Sequence, residues 1–124
     1  MSKLEDLEIY TLSMKISEDV WAEVTKWDYF CKDTLGKQWT RSIDSVSANI
    51  SEGYGRFSFI EMRQFVRIAR GSLMEHKTWV AKAFNRQLIT KEVYDKFYTD
   101  GNILSMKINN FLKYLENKIN NKTK

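Results

Sequence analysis

The chain has no proline, one cysteine, one histidine and only five glycines in 124 residues. Each scarcity excludes something. Without proline nothing forces a helix to kink or stop, and the turn-rich β-architectures lack their usual chemistry. One cysteine, Cys31, forms no internal disulfide, so a reducing cytoplasm is the expected home and a small, half-buried apolar role the expected use. The lone histidine, His76, follows Glu75 directly and lacks the Glu-x-x-His spacing of a di-metal bundle, so no metal or other cofactor is expected. Cys31 and His76 fall on different segments and form no activated nucleophile–base pair, which argues against an enzyme. No apolar run approaches the roughly 20 residues of a membrane helix. Residues 1–6 are charged, unlike a signal peptide, so no membrane partner is expected.

What remains is apolar and periodic. Hydrophobic residues make up 43% and aromatics 14% of the chain, enough for one domain over residues 1–124 with a real core. Ile9, Leu12, Ile16, Val20, Val24 and Trp27 recur at three and four residues and predict a first helix over about 7–27. Leu35, Trp39, Ile43, Val46 and Ile50 predict a second over about 34–53, with Asp33 or Thr34 as N-cap. Ser58 and Glu61 have capping-box spacing and open a third over about 58–87, whose stripe is Met62, Phe65, Ala69, Leu73, His76, Val80 and Ala83. Thr90 caps a fourth over about 91–119, with Gly101-Asn102 a point of interruption and residues 120–124 a frayed tail. Four amphipathic helices with short connections pack most simply as an all-α, antiparallel up-down four-helix bundle.

Between the second and third helices lies Asn49-Ile50-Ser51-Glu52-Gly53-Tyr54-Gly55-Arg56. Its two glycines suit a helix that ends with φ > 0. Asn49, Glu52 and Gly53 read as a structural corner tying those helices together, with Glu75 a candidate partner. Gly53-x-Gly55 follows a helix, so it is neither a P-loop nor a dinucleotide fingerprint. Tyr54 and Phe57 flank Arg56, placed either to pack at the corner or to stack on unpaired bases.

Charge is unevenly distributed. Residues 1–31 hold three basic and seven acidic groups, whereas residues 32–124 hold seventeen basic and nine acidic ones. On the third helix Arg63, Arg67, Arg70 and Lys77 fall within about 80° of arc and roughly 120° from the core stripe. Arg56, Lys82 and Arg86 add charge nearby. Such a row is a solvated face, an ion-pair surface between subunits, or a track for phosphates, which arginine forks match bidentately.

The corner octet, followed by Phe65-Val66-Arg67-Ile68-Ala69 and Gly71-Ser72-Leu73-Met74-Glu75, resembles the four-helix-bundle family of proteins encoded in intervening sequences of bacterial 23S rRNA genes. That family's pattern is close to Asn-Ile-Ala-Glu-Gly-x-x-Arg, then Ala-x-Gly-Ser-Leu-x-Glu. The likeness covers about residues 7–119 and departs at Ser51, where alanine is usual, and at His76, where an apolar residue is usual. The resemblance implies a ring-shaped homo-oligomer, typically a homopentamer, without enzymatic activity. It also brings in the similar accessory bundles of diversity-generating retroelements, which bind a reverse transcriptase and its template RNA. Three functional expectations follow. The first is a ring-forming bundle that binds nucleic acid, RNA rather than DNA, through Arg56, Arg63, Arg67, Arg70, Lys77, Lys82 and Arg86. The second is a reverse-transcriptase accessory protein. The third is a purely structural oligomer in which the acidic first helix docks on a neighbour's basic third helix.

Overall fold

The computed structural model describes Leu4 and residues 7–123, and within them the chain is helical. Helix α1 spans Glu8–Val24. Leu7 precedes it without a side-chain cap, its carbonyl accepting from the Tyr10 and Thr11 amides at 3.1 and 3.0 Å. Glu8 complements the positive end of the dipole.

The second helix, α2, begins earlier than its sequence signals suggest. Asp28, not Asp33 or Thr34, is the N-cap, its carboxylate accepting from the Cys31 amide at 2.9 Å. The chain then runs through an α-turn at Tyr29–Cys31, a π-helical segment at Lys32–Gly36 and α-helix over Lys37–Tyr54. Gly36 is required there because a Cβ would lie 2.7 Å from Val24 Cγ1. α1 and α2 therefore approach closely just after their connection.

At the corner no glycine has positive φ. Gly53 lies inside α2, and a Cβ on it would meet Phe65 Cβ at 2.9 Å and the Met62 carbonyl at 3.2 Å. Its role is close approach between helices, not backbone reversal. The third helix, α3, spans Phe59–Asn85. Ser58 Oγ accepts from the Glu61 amide at 3.1 Å, and the Glu61 carboxylate reaches back only to that hydroxyl, at 3.5 Å. α3 ends on Gln87, at φ 61°. The Leu88 amide bonds to the Ala83 carbonyl and the Gln87 amide to that of Phe84, the paired closure of a Schellman end.

Helix α4 spans Lys91–Thr123, capped by Thr90, whose hydroxyl accepts from the Val93 amide at 3.2 Å. Gly101-Asn102 does not interrupt it: Gly101 is buried under the methylenes of Lys77. Residues 120–123, expected to fray, are helical, and Lys124 lies outside the described residues.

Each helix neighbours the next, and α4 returns to α1, giving an all-α up-down four-helix bundle. Trp39, Ile43, Val46 and Ile50 of α2 meet Val66, Ala69, Leu73 and Ala83 of α3 and Phe97, Leu104, Ile108 and Leu115 of α4 in one core. Each large aliphatic buried this way contributes about 1.5–3 kcal/mol relative to exposure. At its centre the Trp39 indole N–H donates to His76 Nδ1 at 2.9 Å, and Phe97 packs edge-on against both rings. Burial, with a smaller push from Lys77, lowers the His76 pKa to about 3. His76 is thus a neutral core residue.

Candidate nucleic-acid interface

The arginine row of α3 faces α4. A flank of one helix turned this far from its core is, in a four-cornered bundle, the groove beside the next helix. Arg63 donates to the Glu116 carboxylate at 2.7 Å, Arg70 to the Asn109 side-chain oxygen at 3.2 Å and Lys77 to that of Asn102 at 3.1 Å. Each step of seven residues down α3 is matched by seven up α4. Arg67 shares Glu116, at 3.3 Å. The row is therefore more enclosed than a free flank: the Arg63 side chain keeps 22% of its exposure, and its Nε is buried without a partner.

The groove nevertheless stays cationic. Arg67, Arg70 and Lys113 line a recess of about 610 Å³ in which Glu116 is the only carboxylate among the lining residues. Asn109 and Asn117 complete its polar wall. Lys113 escaped sequence reasoning because its partner face is defined only once α4 is docked.

Arg56, Lys82 and Arg86 lie elsewhere. Arg56 donates to Glu52 at 2.6 Å and sits over the Phe65 ring, 4.9 Å from its centroid. Near it Tyr54, Phe57 and Tyr114 border a recess of about 380 Å³, and Phe57 is fully exposed. Lys82 and Arg86 turn toward α2, together with Lys37 and Arg41, two cations that the α3 row gave no reason to include.

The structural corner is also rearranged. Asn49 donates to the Ser45 carbonyl and hydroxyl at 2.8 and 2.9 Å, and Ser45 meets Ser72 of α3 at 2.9 Å. The link between helices thus runs through two serines. Glu52 is turned to Arg56, and Glu75 is exposed with no bond to Asn49 or Glu52, because its place on α3 points away from the corner.

The acidic charge of α1 is partly neutralised within the chain. Glu8 pairs with Lys107, Lys15 with Asp100 and Asp19 with Lys96, all across to α4. On the outer face Met14, Glu18 and Trp21 remain exposed. Partial burial, followed by the nearby Glu18 charge, raises the pKa of Asp44. Among the described residues no cluster of three or more His, Cys, Asp or Glu side chains is placed to hold a metal, and no helix is long and apolar enough to cross a membrane.

Fold and surface together define the class: an up-down four-helix bundle with a cationic groove between its last two helices. A sequence profile of the 23S rRNA-intervening sequence protein family matches residues 5–110, and the chain belongs to that family. Among solved structures it is similar to a protein of unknown function from the S23 ribosomal protein family of Bacteroides thetaiotaomicron. The TM-score is 0.76 and the identity 20%, over 85% of this chain and 98% of that chain. At that identity the likeness shows the fold alone. No curated protein matches.

Proposed function

We propose that the protein is a non-enzymatic, ring-forming bundle that binds nucleic acid, RNA rather than DNA. The observation that carries this reading is the α3/α4 groove, where Arg67, Arg70 and Lys113 line a recess with Glu116 as the one carboxylate among its lining residues, and Arg63 and Lys77 extend the cationic row on α3. Phosphate backbones are bound by such rows through charge-assisted bonds and release of counterions. The family's description, a protein of 23S rRNA intervening sequences, is compatible with an RNA ligand. Ring assembly draws support from the opposite side of the bundle, where Trp21 is 58% exposed beside Met14 and Glu18. A face of that kind, meeting a different face of the next copy, gives head-to-tail contacts that close when the rotation allows.

A titration of fluorescently labelled single-stranded RNA at two salt concentrations tests the reading. Binding at low salt should weaken steeply as salt rises, and Arg67→Ala/Arg70→Ala should reduce both affinity and salt slope, the slope by about two ions. No binding at low salt sinks the proposal. Light scattering in the same buffers separates it from the structural-oligomer alternative: here the ring persists in salt that releases RNA.

A further inference from the structure

A second cationic region lies on the other side of α3. Lys82 and Arg86, four residues apart, face Lys37 and Arg41, also four apart on α2, around a recess of about 380 Å³ walled by Trp79. Asp33 is the one carboxylate among its lining residues, and it pairs with Lys37 at 3.3 Å. Arg41, Lys82 and Arg86 have no ion-pair or hydrogen-bond partner among the described residues. Three uncompensated cations around one recess repel each other, and a bound anion relieves that repulsion. The contrast with Arg63 and Arg67, both held by Glu116, is chemical as well as positional.

Arg86 also borders a second recess, of about 330 Å³, whose remaining walls include Phe30, Leu35 and Leu88. The two recesses share Thr34, Leu35 and Arg86, and the π-helical segment Lys32–Gly36 supplies the first two. A π-turn widens the helix at the point where the cationic recess meets the apolar one. Phe30 stands 73% exposed at the edge.

We propose that the two recesses form one nucleotide site. Arg41, Lys82 and Arg86 hold a phosphate monoester, and the base lies in the apolar recess against Phe30 and Leu88. Their combined size falls within the roughly 300–1,000 Å³ of small-ligand pockets. Guanidinium forks match phosphate oxygens, and an aromatic ring stacks on any base. An acidic peptide would use the cations and leave the apolar recess empty. The site deepens the RNA reading by giving the protein a place for a terminal nucleotide. A free nucleotide presents the same chemistry as a phosphorylated RNA end.

Calorimetric titration of the full-length protein at low salt tests this with adenosine 5′-monophosphate, adenosine, inorganic phosphate, a Glu-rich peptide and a short RNA with and without a 5′-phosphate. The monophosphate should bind more tightly than adenosine or phosphate alone. Arg41→Ala/Arg86→Ala should weaken it by about tenfold or more, as loss of charge-assisted bonds does. Phe30→Ala should weaken the monophosphate and leave inorganic phosphate unchanged, whereas Arg67→Ala/Arg70→Ala should change neither. A preference for the 5′-phosphorylated RNA identifies an RNA end as the source; equal binding of the two RNAs, with tight monophosphate binding, identifies a free nucleotide. The proposal is overturned if the monophosphate fails to bind, binds the Arg41/Arg86 variant equally well, or is matched by phosphate or the peptide. Groove-dependent RNA binding without monophosphate binding removes this site alone. Monophosphate binding without any RNA binding removes the groove reading alone.

Discussion

The two cationic regions of α3 are built from the same residue types and held in opposite ways. In the α3/α4 groove, Arg63, Arg67, Arg70 and Lys77 each reach an oxygen of α4, and Arg63 is half sealed in. In the α2/α3 recess, Arg41, Lys82 and Arg86 make no ion pair or hydrogen bond among the described residues. A cation already bonded to a neighbouring helix supports the fold and offers a ligand its remaining donors. One without a partner adds little to stability and keeps its full charge for a ligand. Position on a helix wheel does not distinguish these cases; the opposite helix does.

The largest expected effect tests what both regions depend on. His76 shares one turn of α3 with the groove cation Lys77 and the recess wall Trp79, and its folded pKa near 3 is below the ordinary 6.5. The unfolded chain then binds the proton more readily, so the stability from this site is complete above about pH 6.5 and is lost as pH falls toward 3. The loss is about 1 kcal/mol per pH unit across that window. Thermal melts from pH 7 to pH 4 should show it, and His76→Phe should flatten the slope whatever its stability at pH 7. An unchanged slope in that variant would remove His76 as the cause.

Next comes Gly53→Val, which drives a side chain against Phe65 and the Met62 backbone where α3 begins. A cost of about 3 kcal/mol in urea unfolding is expected. Glu52→Ala, which breaks only an exposed pair with Arg56, should cost under about 0.5 kcal/mol. Equal losses would show that the corner depends on charge and not on close approach.

Glu116→Ala addresses the comparison directly. It leaves Arg63 and Arg67 without their acid and should lower stability by about 1 kcal/mol. Arg41→Ala/Arg86→Ala should shift it by less than about 0.5 kcal/mol. If the second pair destabilises as much as the first substitution, the recess cations are not free. One substitution is expected to stabilise. Gln87→Gly relieves a left-handed residue next to Arg86 and should raise stability by up to about 1 kcal/mol without changing binding at either region.

Much of the fold was legible in the sequence because its signals are local and repeated. The apolar stripes, with Val66 in the buried place expected of Phe65, the caps at Ser58 and Thr90 and the core position of His76 follow from periodicity and side-chain chemistry. The start of α2 was not legible. Asp28, Asp33 and Thr34 can each cap a helix in isolation, and the structure uses the first, with Gly36 packed on Val24 one helical segment later. Gly101 reads as a break until Lys77, 24 positions earlier, is seen lying over it. The candidate site divides in the same way. The α3 row is visible in one segment, whereas Lys113 joins it, and Lys37 and Arg41 join Lys82 and Arg86, only through the docking of other helices.

The seven-residue match between Arg63, Arg70 and Lys77 and their α4 partners also works as an index mark. Let α4 slide by one turn in one direction, and Arg63 comes opposite Lys113; slide it by one turn in the other, and Arg70 does. Both neighbouring alignments set Lys113 directly opposite an arginine that in the native one meets a carboxylate or an amide, with Lys113 left at the side of the recess. Apolar stripes alone would tolerate several such alignments. The polar seam chooses among them, and Lys113 acts as a stop on both sides of the chosen one.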